Sequence, residues 1–133
     1  MILIKWDRTL SVNIPQIDLQ HEELISLVNK LYVVFEAAEN HALFSKLLRK
    51  ILNKLEEHFE LEKILLYNQG YKRLKAQTWI NKKLADNFNA LLLAVENGSK
   101  AIDRELMDYV SGRVLEHIRL DVTKYSFELK ESC

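Results

Sequence analysis

Four histidines stand at positions 21, 41, 58 and 117, and two are followed four residues later by a carboxylate: His58 by Glu62 and His117 by Asp121. On an α-helix, residues four apart face the same way about one turn apart, so each pair presents an imidazole and a carboxylate together. That donor set suits iron, manganese or zinc, whereas a thiolate-rich site needs cysteines, and this chain has only Cys133. Gln77 and Asn81 repeat the same spacing with neutral amides. A single histidine on an apolar face is commonly a hydrogen-bonded core residue. Three histidines with two carboxylates ask for more, because each buried polar group costs several kcal/mol unless it is paired. A metal in a helical core is the usual way to stabilise such a layer.

These residues lie on apolar stripes of helical period. Leu24, Val28, Leu31 and Phe35 form the first stripe, which His21 opens and Ala38-Glu39-Asn40 breaks. The second runs through Phe44, Leu47, Leu48, Ile51, Leu55, Phe59, Leu65 and Leu66 to Asn68-Gln69-Gly70. The third steps through Leu74, Leu84, Phe88, Leu91 and Val95 to Asn97-Gly98-Ser99, and the fourth through Leu106, Val110, Val114 and Tyr125. The pattern predicts helices over about 21–39, 42–68, 73–96 and 101–130, joined by short loops as an all-α, antiparallel, up-down-up-down four-helix bundle. Residues 1 to about 20 form an N-terminal arm whose Trp6, Leu10, Val12, Ile14 and Ile17 predict packing on the bundle. Reflecting position 21 through the successive loops of such a bundle lands near 60, near 80 and near 118, so about seven polar residues share one layer. His41 falls in the first loop and reads as solvated surface, and Trp79 is expected to pack at a helix flank. The Glu-x-x-His pairs of ferritin-like di-iron bundles are absent; the nearest match is Asp18-Leu19-Gln20-His21.

Composition narrows the function classes. The 133 residues carry 19 basic and 19 acidic side chains, a formal net charge of zero, with three glycines and one proline. That balance argues against nucleic acid or an anionic membrane as the main partner, since both favour a clustered basic excess. No apolar run approaches the roughly 20 residues that cross a bilayer. One cysteine and the lack of a basic-then-apolar leader lead to the expectation of a single cytoplasmic domain. No role is assigned to Cys133.

Several strings resemble the hemerythrin family, and specifically the single-domain bacterial hemerythrins. They are Trp6 in the arm, Ser11-Val12-Asn13-Ile14, Ile17-Asp18-Leu19-Gln20-His21, His58-Phe59-Glu60-Leu61-Glu62, Gly70-Tyr71, and His117-Ile118 with Tyr125. The resemblance implies a four-helix bundle holding two oxo-bridged non-heme irons that bind dioxygen reversibly, with five histidines and two bridging carboxylates as ligands. It maps ligands onto His21, His58, Glu62 and His117. It also exposes departures. Gln77 and Asn81 occupy the two histidine positions of the third helix, Val122 occupies that of the bridging aspartate, and Asp121 comes one residue early. Arg113 and Val114 replace the Trp and Leu that wall the family's oxygen pocket.

Amide oxygens are far weaker transition-metal ligands than imidazoles, so a second iron would be poorly held. The expectation is a degraded site with one iron per chain at His21, His58 and Glu62, helped by Asp121 and near His117. Such a protein would not be a conventional reversible dioxygen carrier; it would serve oxygen or iron sensing or storage, with dioxygen or another small diatomic as ligand. The alternative is a metal-free bundle serving as an interaction or structural module, in which Arg113 replaces the metal charge beside Glu62 or Asp121. No acid–base partner for catalysis is identifiable, so enzymatic activity is not expected.

Overall fold

The computed structural model describes residues 3–37, 41–123 and 125. After a 3-10 turn at Arg8–Leu10 come four helices: α1 (Pro15–Ala37), α2 (His41–Asn68), α3 (Leu74–Glu96) and α4 (Arg104–Thr123). The fold is an all-α bundle, with α1 packed on α2 and α4, and α2 packed on α3. None of the described helices is long and apolar enough to cross a membrane.

Two helix starts differ from those expected. α1 begins at Pro15, inside the stretch read as arm, because proline has no N–H to leave unpaired in a first turn and its fixed φ suits a helix. α4 begins at Arg104, three residues later than about 101, because Asp103 caps it: its Oδ1 accepts from the Leu106 N–H at 2.9 Å. His41 is exposed as expected, but it opens α2 instead of sitting in a loop. The expected break at Ala38-Glu39-Asn40, the end of the fourth helix near 130, and Cys133 lie outside the described residues.

The arm is fastened to α1 at two levels. Asp18, in the first turn of α1, accepts from Ser11 Oγ at 2.5 Å and from the Val12 N–H at 2.8 Å. About three turns further along α1, Asn29 pairs with the backbone of Ile4 in both directions, at 3.0 and 2.7 Å. Between these anchors Asn13 adopts a positive φ of 61°, a conformation that asparagine tolerates better than most residues.

At the other end of the site, α2 stops on Gly70, whose φ is 69°. The Tyr71 N–H reaches back to the Leu66 carbonyl at 3.0 Å, while the Tyr71 ring and the Leu66 side chain are both buried. This is a Schellman end with its usual apolar contact, and glycine removes the steric penalty of the left-handed turn.

The apolar interior is divided. A large cluster includes Leu24, Val28, Leu55, Phe88, Leu92, Val114 and Ile118; a smaller one holds Val12, Ile17, Leu66, Tyr71 and Tyr125. Along α1, α2 and α4 the chain passes from one cluster to the other through His21, through His58 and Glu62, and through His117 and Asp121. The polar layer is therefore closed above and below by packed hydrocarbon.

Candidate metal centre

Each helix that enters this layer supplies its donors at a fixed pitch. Glu62 follows His58 on α2 and Asp121 follows His117 on α4, each by four residues, while α1 contributes His21 from its second turn. His21, His58, Glu62 and Asp121 are fully buried, and His117 is 5% exposed.

The side chains converge on one point. Asp121 Oδ2 lies 3.0 Å from His21 Nε2, 3.1 Å from His58 Nε2 and 3.0 Å from His117 Nε2. His58 Nε2 and His117 Nε2 are 3.0 Å apart. Glu62 Oε2 stands 3.1 Å from the former and 3.5 Å from the latter. Two donors held at right angles about 2.1 Å from one metal ion lie about 3.0 Å from each other, so these separations suit a single ion. Three imidazoles and two carboxylates also match the chemistry of a divalent first-row metal, whose charge the two acids balance. His21, His58, His117 and Asp121 bring donor atoms that all lie within 4.8 Å of one another and fit one ion, and Glu62 stands beside two of these histidines.

Without an ion the same atoms hold protons. Burial disfavours the charged form of His117, but the Asp121 and Glu62 carboxylates outweigh it and its pKa is pushed up to about 9. His58 is raised for the same reasons, burial again being overcome by the two acids. His21 moves the other way, because desolvation exceeds what Asp121 returns. Burial would raise Asp121, but the histidines, His117 foremost, hold its carboxyl well below the usual range.

The remaining positions are placed as follows. Asp121 reaches the centre, and Val122 turns away against the smaller apolar cluster. Gln77 and Asn81 do not join the five donors; the Gln77 Nε2 amide donates to Asn81 Oδ1 at 2.9 Å. They line a pocket of about 220 Å³ between α2 and α3, together with Phe59 and Ala85. The expected layer of seven thus separates into five converging groups and a self-paired amide couple, because two amides satisfy each other without a metal. Val114 is buried in the large cluster. The position assigned to Arg113 needs correction: its guanidinium lies over the Tyr109 ring, 5.9 Å from the centroid, one turn back on the half-exposed flank of α4. The cations facing Asp121 are histidines. Trp79 is 61% exposed, with the Lys83 ammonium over its ring at 5.5 Å, so it lies on the solvent side and is not packed at a flank.

Three residues had not been singled out for this site. Gln20 Oε1 lies 2.9 Å from His58 Nδ1. The Phe59 ring packs against His117 with centroids 5.1 Å apart, walling the centre on the side of the pocket. The buried Tyr125 hydroxyl lies within electrostatic reach of Glu62 and Asp121; burial first and these acids second push its pKa up. For Gln20 a signal existed, since it immediately precedes a histidine in a recognisable string.

No family model matches the sequence. The chain is 25% identical over 130 residues to a bacteriohemerythrin of Stenotrophomonas maltophilia (strain R551-3), covering 98% of this chain and 84% of that protein. It is 24% identical over 132 residues to a bacteriohemerythrin of Pseudomonas aeruginosa (strain LESB58), covering 99% and 85%. Among solved structures, wild-type hemerythrin superposes with a TM-score of 0.84 at 22% identity, covering 94% of this chain and 97% of that one. A point mutant of hemerythrin gives 0.85 at 23% identity, covering 97% and 98%. The fold is that of hemerythrin, and the resemblance seen in the sequence strings extends over nearly the whole chain.

Proposed function

We propose that this hemerythrin-like chain binds one non-heme iron, held by His21, His58, His117, Asp121 and Glu62, and is not a two-iron reversible oxygen carrier. The observation that carries this reading is the approach of three imidazole Nε2 atoms to a single Asp121 oxygen, with one Glu62 oxygen beside two of them, while Gln77 and Asn81 bond to each other. His117 stands at contact distance from His58. Two carboxylates would neutralise a ferrous ion, and the apolar clusters above and below would limit water.

Bound iron would supply a redox-active centre able to take dioxygen or another small diatomic, which fits sensing or storage of oxygen or iron. The protein side of that task is positional: α2 and α4 each present two donors one turn apart, and Phe59 walls the centre toward the α2–α3 pocket. No group stands out as an acid–base catalyst beyond the donors themselves, so turnover is not part of the proposal.

Metal analysis of protein purified without chelator, then reconstituted anaerobically with ferrous iron, tests the reading. About one iron per chain is expected from a single five-donor centre. Two irons with the near-ultraviolet bands of an oxo-bridged pair would overturn it in favour of a conventional site. Less than a tenth of an equivalent would overturn it in favour of a metal-free interaction module. That second reading draws support from the ion pairs that His117 and His58 make with Asp121 and Glu62 unaided. Its form with Arg113 as the replacing charge is set aside by the Tyr109 stacking.

A further inference from the structure

The amide couple on α3 is only partly used. The bond from Gln77 Nε2 to Asn81 Oδ1 takes one donor and one acceptor, and neither side chain has another hydrogen-bond partner among the described residues. Each amide carries both an NH₂ group and a carbonyl oxygen. Gln77 therefore keeps its carbonyl oxygen and Asn81 its NH₂ group; with both amides turned over, the residues would exchange roles and the couple would offer the same pair. Asn81 is more than nine-tenths buried, yet its Nδ2 is not sealed off, and the space that it borders is the pocket of about 220 Å³ between α2 and α3. Phe59, Leu66, Leu74 and Ala85 supply most of the remaining wall. The exposed side chains around it are Glu56, Glu60, Lys63 and Lys82, two acids against two bases.

We propose that this pocket binds a neutral, planar aromatic amide of a single ring. The ligand's N–H donates to Gln77 Oε1 and its carbonyl oxygen accepts from Asn81 Nδ2, so both unused groups are met at once. Its ring lies against the apolar wall that includes Phe59. Water can fill both polar roles but gains nothing from that wall, whereas a ring buries apolar surface there. Size sets the upper limit: sites for drug-sized molecules start at roughly 300 Å³, so about 220 Å³ admits one ring and its substituent and excludes a nucleotide. Charge sets the class, because an anion would meet Glu56 and Glu60 and a cation would meet Lys63 and Lys82. The proposal goes beyond the iron reading and does not depend on it. None of the pocket residues is a donor of the metal centre, and Phe59 stands between the two, its ring centroid 5.1 Å from that of His117.

The test is a titration of the full chain, kept in chelator, with nicotinamide as the probe, followed by NMR at the side-chain amides and the Phe59 ring. Saturable shifts of the Gln77 and Asn81 NH₂ signals and of the Phe59 ring are expected, with a Kd within about tenfold of 1 mM, the range open to so small a ligand. N,N-dimethylnicotinamide keeps the ring and the carbonyl but has no amide N–H, and nicotinate replaces the amide with a charge; each should bind at least about tenfold more weakly. Gln77→Leu combined with Asn81→Leu should weaken nicotinamide binding by at least about tenfold. Ala85→Leu, which keeps both amides and fills the pocket from α3, should weaken it as well. Should the double variant fail to fold, Ala85→Leu and the wild-type series of three compounds decide. Equal affinity for the dimethyl compound would show a cleft that does not read the amide and would overturn the proposal, as would binding that survives the double substitution. No shift with nicotinamide up to about 20 mM would mean that the two groups serve water alone, and the proposal would fall.

Discussion

His58 Nε2 and His117 Nε2 lie 3.0 Å apart, although they come from α2 and α4 and are separated by 59 residues. Two imidazole nitrogens approach so closely only when a proton or a metal ion lies between them or a shared acid stands beside both. Asp121 is that acid, at 3.1 and 3.0 Å, and His21 meets the same oxygen from α1. Asp121 is accordingly the one acid that meets all three histidines.

Asp121→Asn removes the charge that three buried imidazoles face, leaving His58 and His117 with Glu62 alone and His21 without the carboxylate it meets. The metal-free protein should lose about 3–5 kcal/mol of stability, the cost typical of removing one member of a buried ion pair. Metal affinity should fall by more than about tenfold, since a charged donor is replaced by a neutral amide. Val122→Ala, at the neighbouring position that turns toward the apolar cluster, should cost about 1 kcal/mol in packing and leave metal binding unchanged. Denaturant melts and metal titration of the two variants check this; metal binding that depends on Val122 and not on Asp121 would refute the placement.

The sign of the pH dependence follows from the histidines. His117, with a folded pKa raised from 6.5 to about 9, contributes stability that is complete below pH 6.5 and is lost as pH rises through about 9. His58 is raised and acts in the same direction. His21 is lowered and acts oppositely, its contribution being complete above 6.5 and lost as pH falls through its folded value. Asp121 is depressed, so its contribution is present above its ordinary 3.8 and is lost as pH falls through its lower folded value. Metal-free protein in chelator should therefore lose a few kcal/mol between pH 6.5 and 9, with a second loss in strong acid. Thermal melts across that range check it. In His117→Gln the alkaline decline should shrink, and an unchanged decline would show that another group causes it.

Much of this site was legible in the sequence. The i, i+4 spacing placed Glu62 beside His58 and Asp121 beside His117, and reflection through the loops brought His21 to their height. Asp121 could be put at the centre even though it is one residue out of step with the family. Other features depended on packing that spacing does not encode. Arg113 carries a side chain long enough to turn either way, and the Tyr109 ring one turn back determines which. That His117 shares a centre with His58 follows from how α1, α2 and α4 pack together, which no residue pattern specifies. The start of α1 at Pro15 was missed because an apolar stretch around a proline reads as extended chain, whereas the same proline fits a first helical turn.

The arm is held partly through Asp18, whose two carboxylate oxygens serve Ser11 and Val12. Asp18→Ala removes both acceptors and should cost about 1–2 kcal/mol. Hydrogen exchange at the Val12 amide should accelerate more than exchange at core amides of α2, because the opening is local. Slow exchange at Val12 in the variant would mean that the apolar contacts of Val12 and Ile17 hold the arm without Asp18.

The last prediction separates a one-ion centre from a two-ion centre with poor ligands on α3. Gln77 and Asn81 share a 2.9 Å hydrogen bond, and Asn81 is only 6% exposed. Gln77→Leu alone strips Asn81 of that partner inside the bundle and should destabilise by about 1–3 kcal/mol, the cost of an unmet buried amide. Adding Asn81→Leu removes the orphan as well, so the double variant should recover most of that loss: the two sites are coupled and their costs are not additive. Metal stoichiometry and affinity should be the same in the wild type, the single variant and the double variant, because neither amide is a ligand. If the double variant instead loses metal, the two amides are reaching the centre and the single-ion reading fails; instability equal to the sum of separate Gln77→Leu and Asn81→Leu losses would show that the two amides do not satisfy each other. The comparison is decisive because both readings expect a similar fold and differ only in what α3 contributes to the ion.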